Sequence, residues 1–418
     1  MKKLVALLLA LTLCIGLCAC GAQTETPAAT EAPAADAPAE ETPVAGETLS
    51  KIKVGFVFLH DENSTYDLNF INAAKAAAEQ LGLTDDQVMM KTNIAESQAC
   101  YDAAAELVDA GCDLIITDSF GHESFALAAA KDFPEVQFVS CTGVKAHTEG
   151  LSNFHNAFAS IYEGRYLAGI AAGLKLNEMI ENGDITAEEA KMGYVGAFPY
   201  AEVKSGYTSF FLGARSVCPS VTMEVTFTSS WYDEALEKEA ANRLINNGCV
   251  LISQHADSMG APTACEAAGV PNVSYNGSTV SACPNTFIVS SRIDWTPFFV
   301  HAITSVANGE VLGYDWTGTL ATGSVVLTEI NENAAAVGTA EKIAEVTKAL
   351  EDGTVKVFDT ANFTVNGETV TTYLADVDDL GDYVGETEVI ENGEFLESYY
   401  RSAPYFDLDI DGITNLDA

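Results

Sequence analysis

Short apolar runs alternate with amphipathic stretches along most of the chain, the pattern expected of parallel strands joined by crossover helices. The pattern occurs twice. Lys53-Val54-Gly55-Phe56-Val57 is echoed 138 residues later by Lys191-Met192-Gly193-Tyr194-Val195. Leu107 to Ile115 is echoed at an offset of 137 by Leu244 to Ile252, and Val136 to Gly143 at an offset of 134 by Val270 to Gly277. Within a unit, a helix with apolar residues at i and i+4 (Leu236, Ala240, Leu244) stops at a glycine suited to a left-handed C-cap, and a buried strand follows at once. Two such halves predict an α/β protein with two similar doubly wound parallel-sheet lobes joined by a hinge. In open parallel sheets, ligands bind beyond the carboxyl ends of the strands. Those ends read His60-Asp61-Glu62-Asn63-Ser64 and Thr117-Asp118-Ser119-Phe120-Gly121 in the first half. In the second they read Ala197-Phe198-Pro199-Tyr200, Ser253 to Ser258, and Ser274-Tyr275-Asn276. Polar and aromatic groups therefore collect where facing lobes would close on a cleft.

The N-terminus bears on compartment. Lys2 and Lys3 precede an apolar stretch, Leu4 to Leu17, that is short for a bilayer span. The following Leu17-Cys18-Ala19-Cys20-Gly21 resembles a bacterial lipobox, which implies removal of residues 1–19 and lipidation of Cys20. Residues 20–49 are rich in Ala, Pro, Thr and Glu without aromatic or basic side chains. They read as a disordered tether, since such a composition cannot bury enough apolar surface to offset ordering. The expected domains are a first lobe of 50–152 with about 278–310, and a second of 153–277 with part of 311–418. Residues 311–418 form a crossover and extension: a helix over 331–350, a strand over 355–358 and a hairpin at Asn366-Gly367.

Without residues 1–19 the chain holds 18 basic against 60 acidic residues. A net charge of −42 argues against nucleic-acid partners and against adhesion of the folded body to anionic lipid. Seven cysteines remain beyond Cys20: Cys100, Cys112, Cys141, Cys218, Cys249, Cys265 and Cys283. The odd count and absence of a C-x-x-C pair point to small buried hydrophobes rather than disulfides or zinc. The run Asp407-Leu408-Asp409-Ile410-Asp411-Gly412 opens like a calcium loop, but its twelfth position is Ala418, so an acidic tail is the better reading. No metal or cofactor is expected. G-x-S-x-G, H-E-x-x-H and phosphate-loop signatures are missing, and nothing in the sequence supports catalysis.

Several segments resemble the basic membrane protein / purine nucleoside receptor family of ABC-transporter solute-binding lipoproteins, which have the type I periplasmic-binding-protein fold. They are Ala110 to Gly121, Phe133 to Phe138, Tyr162 to Gly173, Gly213 to Val217, Trp231 to Glu234, and Gln254 to Ser258. The likeness runs from about Lys53 to Gly313. It implies an extracytoplasmic, lipid-anchored, monomeric receptor that captures a nucleoside-like ligand between its lobes and delivers it to ABC permease and ATPase subunits. It also implies stacking of a base by Phe120, Phe198 and Trp231 beside Tyr66, and ribose hydroxyls on Asp257. Asn63 and Asn276 would read the base edge, with Asp61 and Ser119 completing the site. The chain departs from the family where Asn63-Ser64-Thr65-Tyr66 replaces a Gly-Trp-Thr-Tyr found in some members, which removes one aromatic wall. It departs again where His122 stands in place of a frequent tyrosine.

Other readings compete. Asp257 could cap the next helix and Trp231 could pack at a helix start. Arg165 would bridge lobes or satisfy carbonyls, and His255 would be a structural hydrogen-bonder. A sugar or signal receptor feeding a sensory system would use the same cleft. A nucleoside hydrolase is the remaining class.

Overall fold

The computed structural model describes residues 46–378 and 384–417. The lipobox, Cys20 and most of the tether lie outside the described residues. The last tether residues, Gly46–Leu49, form a helical turn, held where the Gln87 side chain donates to the Leu49 carbonyl (2.7 Å). No helix among the described residues is long and apolar enough to cross a membrane.

Five strands come first: β1 (Val54–Val57), β2 (Val88–Lys91), β3 (Leu114–Thr117), β4 (Gln137–Cys141) and β5 (Phe154–Ala159). Five follow: β6 (Lys191–Gly196), β7 (Thr222–Phe227), β8 (Leu251–His255), β9 (Asn272–Tyr275) and β10 (Phe287–Ile293). Then come β11 (Asp315–Gly318) and β12 (Val325–Leu327). They build two sheets, ordered β11-β5-β4-β3-β1-β2 and β12-β10-β9-β8-β6-β7, the latter extended by the strand Ile413–Asn415. All pairings are parallel except that of β12 with β10. Both sheets are doubly wound, as the duplicated pattern predicts. The duplication extends to the helix stops: Gly111 and Gly248 adopt φ of +86° and +87° at equivalent places, left-handed conformations that only glycine takes at low cost.

Two boundaries differ from the sequence reading. Residues 154–159, expected in the second lobe, pair with β4 in the first sheet, and 287–293, expected in the first lobe, pair with β9 in the second. The chain changes lobe three times, after β5, after β10 and between β11 and β12. An apolar strand looks the same in either sheet, so only pairing assigns it. The crossings are laced together. Ser160 N–H donates to Gly318 O (2.7 Å), Asp294 N–H to Ser324 O (2.7 Å), and Leu320 N–H to the Glu163 carboxylate (2.9 Å).

The second lobe is organised by the helices Ile161–Asn182 and Ala201–Val217, which cross at glycines. A Cβ on Gly169 would stand 2.0 Å from the Phe210 carbonyl oxygen, and one on Gly213 equally close to that of Tyr166. The seven cysteines past Cys20 are buried and unpaired, as expected.

The C-terminal hundred residues pack on this lobe. The helix covers only Thr339–Glu351. Upstream, Asn331 is turned inward to bond the carbonyls of Pro284 and Phe287. Residues 355–358 are not a strand: Val357 and Phe358 are apolar because they enter the second-lobe core, and Phe358 stacks on Phe406 at 4.5 Å. The Asn366-Gly367 turn forms with both residues at positive φ and a bridge from Val365 to Glu368. The acidic run is not a solvated tail. Lys204 lies between Asp407 (2.8 Å) and Asp409 (3.2 Å). Asp411 accepts from Thr364 and Gly367, and Asp417 accepts from Phe227 N–H, Thr226 and Arg243. In the same extension, Glu397 is buried against the hinge, accepting from Ser205, while Ser398 meets Ser160 at 3.3 Å.

Two expectations follow. Gly169→Ala should lower unfolding free energy by roughly 1–3 kcal/mol, because backbone rather than a flexible side chain must give way; thermal and urea unfolding measure it. Burial raises the pKa of Glu397 to about 7. The folded state therefore holds this proton after the unfolded chain has lost it, and stability falls as pH rises from about 4.5 through about 7. Glu397→Gln should remove on the order of 2–3 kcal/mol of the stability difference between pH 5 and pH 8. Identical pH profiles for variant and parent in urea unfolding would refute it.

Candidate functional site

The carboxyl ends of both sheets face one cavity. In the first lobe, the chain leaving β1 supplies Leu59 and His60, and the helix Thr65–Leu81 supplies Tyr66 and Asp67. Ser119 and Phe120 follow β3, and Thr142 follows β4. The second lobe supplies Glu202 from the first turn of its helix, Trp231 after β7, His255 and Asp257 at the end of β8, and Tyr275 at the end of β9.

The first-lobe wall is built on a helix cap. Ser64 Oγ accepts from Asp67 N–H (3.2 Å) and donates to the Asp67 carboxylate (2.6 Å), which also accepts from His60 N–H (2.7 Å). His60 Nδ1 lies 3.3 Å from the same carboxylate. Burial alone would raise the Asp67 pKa, but the groups bonded to it from His60 and Ser64 outweigh burial and hold it below the usual carboxylate value. Asp118, fully buried behind it, is pushed the other way, well up, by burial and by the charge on Asp67. Tyr66 is fixed by donating from its hydroxyl to the Asp118 carbonyl (2.6 Å). Ser64, where the family resemblance implied the loss of an aromatic wall, is the capping residue of this helix.

On the opposite wall, Trp231, Phe198 and Tyr200 form one aromatic cluster. Phe198 stacks on Tyr200 (5.1 Å, 12°) and meets Trp231 edge-on at 5.0 Å. Tyr200 reaches across the mouth to Phe120 of the first lobe, 5.6 Å between centroids. Deeper in, the His255 ring lies 4.1 Å from that of Tyr275, and its Nε2 is 3.4 Å from Glu202. Burial depresses the His255 pKa, against the upward pull of Glu202. The Tyr275 hydroxyl is buried and has no hydrogen-bond partner among the described residues. Below it runs Arg165, fully buried, bonded to Ser274 O, Ser291, Tyr194 and Ser253. These contacts all lie within the second lobe: Arg165 satisfies a carbonyl and hydroxyls and does not bridge lobes.

Direct contacts close the cleft. Thr65 N–H donates to the Asp257 carbonyl (3.1 Å), and the Asn69 amide approaches Asn276 at 3.4 Å. Asp257 does not cap a helix; the N-cap residue is Met259, and the first helical N–H, that of Gly260, donates to Ser258 Oγ at 3.0 Å. Its carboxyl is pushed well up in pKa by burial and by the charges of Asp67, Glu237 and Glu202. Trp231 is likewise not at a helix start, since the next helix begins at Glu234 with Asp233 as its cap.

Of the residues expected from sequence, Tyr66, Ser119, Phe120, Trp231 and Asp257 line the cavity. Phe198 stands beside Trp231, outside the lining. Asn276 is buried at the lobe junction with φ +62°, and its amide nitrogen has no hydrogen-bond partner among the described residues. Asp61 and Asn63 bond to each other (2.8 Å) in the loop after β1 and are not in the lining; Asp61 is held there by Asn93. Asp67, Glu202 and Thr142 were not foreseen. Asp67 and Glu202 are acidic residues in first helical turns, where they read as ordinary complements to the helix dipole. Tyr275 and His60 were visible only as polar strand ends. Outside the lining, Asp376, Asp378 and Glu386 gather their oxygens within 4.8 Å, but Glu386 is already used by the N–H groups of Val377 and Asp378.

Comparison with known proteins agrees with this architecture. A family profile described as ABC transporter substrate-binding protein PnrA-like (Bmp) matches residues 59–357. A purine-binding protein of Brucella abortus is 31% identical over 268 residues, 63% of this chain and 71% of that protein. A Haloferax volcanii protein named for ABC transporter glucose binding is 30% identical over 312 residues, covering 71% and 76%. Among solved structures, solute-binding proteins of Aeropyrum pernix (TM-score 0.60, 18% identity, 73% of this chain and 92% of that chain) and Conexibacter woesei (0.58, 20%, 73% and 98%) share the fold. The chain belongs to the PnrA-like family of ABC transporter substrate-binding proteins, extracytoplasmic and non-enzymatic receptors that bind small solutes and work with ABC permeases.

Proposed function

We propose that the solute is a purine nucleoside or its base, captured by a monomeric receptor tethered to the membrane through a lipid on Cys20. The observation that carries this reading is the composition of the interlobe cavity. Aromatic rings from both lobes, Tyr66, Phe120 and Trp231, stand around carboxyl groups of Asp67, Glu202 and Asp257. A planar base between aromatic faces gains roughly 1–3 kcal/mol per stack, and carboxylates accept from ribose hydroxyls and base N–H groups. The purine-binding relative supports the same class. Ser119 and Asn276 would contribute from the cavity floor and the lobe junction, and Phe198 by holding Trp231. Asp61 and Asn63 would serve at the entrance. Contacts to both lobes exist only when the cleft is closed, so ligand adds differential free energy to that state and shifts the population toward the form a permease reads.

The glucose-named relative favours a second reading, a sugar in the same cleft. Calorimetry with inosine, guanosine, adenosine, ribose and glucose separates the two, and binding of sugars alone would sink the nucleoside assignment.

Asp257→Ala should lose nucleoside affinity by at least about tenfold while the unliganded melting temperature changes little, because no helix cap is lost. Tyr275→Phe should leave unliganded stability unchanged or slightly raised, since the deleted hydroxyl has no partner among the described residues, and should weaken nucleoside binding about tenfold. A large loss of unliganded stability in Tyr275→Phe would show that the hydroxyl is already satisfied.

A further inference from the structure

The cavity is chemically one-sided. Three acidic side chains, Asp67 from the first lobe and Glu202 and Asp257 from the second, border it, and among the described residues no lysine or arginine lines it. The nearest buried cation, Arg165, stands behind Tyr275 at 5.3 Å from its ring, with its terminal nitrogens engaged by β6, β8, β9 and β10. Asp67 is likewise engaged, by Ser64 and His60. Glu202 is different: its hydrogen-bond partner is His255 alone among the described residues, on Oε1. The tautomer that donates from Nε2 to Glu202 leaves Nδ1 without a proton. That atom faces Gly206, where a Cβ would stand 2.7 Å away. Glu202 is thereby aimed and left with acceptor capacity toward the cavity. Beside it, Tyr275, 1% exposed, offers a hydroxyl without a partner among the described residues, a second sign that a polar ligand edge belongs at this wall.

We propose that Glu202, positioned by His255, determines specificity: it selects heteroaromatic ligands that present adjacent N–H donors and rejects their phosphorylated, anionic counterparts. This rests on the reading of the cavity as a purine site. A carboxylate accepts two parallel N–H bonds, the geometry offered by a ring N–H next to an exocyclic amine. The same carboxylate, in a cavity whose described lining holds no lysine or arginine, meets a phosphate with like charge across a short distance. Guanosine carries the paired donors, inosine keeps only the ring N–H, and guanosine 5′-monophosphate adds the anion. Glu202→Gln keeps shape and one acceptor but removes the charge and replaces the second acceptor by a donor.

The test is calorimetry on the full chain and on Glu202→Gln, with circular dichroism confirming that the variant folds. The ligands are guanosine, inosine, guanosine 5′-monophosphate, ribose and ribose 5-phosphate. For the parent protein, guanosine should bind at least about tenfold tighter than inosine and about a hundredfold tighter than its monophosphate. In Glu202→Gln the guanosine-to-inosine ratio should fall to within about threefold of unity, and the penalty for the phosphate should shrink about tenfold. His255→Phe should move the first ratio in the same direction, as loss of a positioning residue would. Unchanged ratios in Glu202→Gln overturn the assignment of Glu202, and a parent protein that takes phosphorylated and unphosphorylated ligands equally overturns the charge selection. If ribose binds and neither nucleoside does, the purine reading fails by itself, and the paired-donor selection with it, while the ratio of ribose to ribose 5-phosphate still reads the rejection of anions. Binding of none of the five overturns both.

Discussion

The second lobe depends on one buried cation. Arg165 leaves the helix that carries the chain between lobes and ends beneath the carboxyl edges of four strands. Its guanidinium donates to Ser274 of β9, Ser291 of β10, Tyr194 of β6 and Ser253 of β8. Its flat faces lie 4.9–5.4 Å from the rings of Phe210, Tyr275 and Tyr194. Burying a guanidinium without a bonded carboxylate costs several kcal/mol. Here charge-assisted hydrogen bonds and aromatic faces together offset that cost. The arrangement tolerates little displacement, and its consequence is functional: Tyr275 and the end of β9 are held from below while their upper side borders the cavity. His255 and Glu202 are stacked and bonded onto that support.

The lobes are joined by the opposite strategy. Three chain crossings bond mainly to one another, through Ser160 with Gly318, Asp294 with Ser324, and Leu320 with Glu163. Few of these bonds cross the cleft itself. Rotation about the crossings can therefore proceed without unfolding either sheet, whereas closure adds only a few direct contacts, chiefly Thr65 with Asp257 and Phe120 with Tyr200. A receptor needs such a balance, since ligand must supply much of the free energy that separates open from closed. The C-terminal extension bears on this balance from behind. Glu397 and Ser398 sit against Ser205 and Ser160, and Ser402 reaches Asp315 of the first sheet, so this arm touches both lobes near the pivot.

How far the site could be read in advance varied residue by residue. Trp231, Phe120 and Asp257 stood out because large aromatics and carboxylates just past strand ends have few other uses. Asp257 nonetheless had an equally good reading as a helix cap, and only the placement of the helix start, with Met259 at the cap and Ser258 bonding the first N–H, removed it. Asp61 and Asn63 had the right chemistry at the right strand end, yet they bond each other in the loop. Glu202 and Asp67 were hidden because an acid in a first helical turn is ordinary. The acidic run near the C-terminus misled for a related reason: its charges meet Lys204, Thr364 and Gly367, partners far away in the chain.

The sequence by itself determined the two doubly wound halves, their glycine-stopped helices, the burial of the cysteines and the cleft between strand ends. These follow from periodicity and from backbone conformations that act within a few residues. Only the tertiary structure decided which sheet takes β5 and β10, where the C-terminal hundred residues pack, and which polar groups face the cavity. Strand pairing, the partner of a carboxylate and the pKa that results are set by neighbours scores of residues away, and no local pattern encodes them.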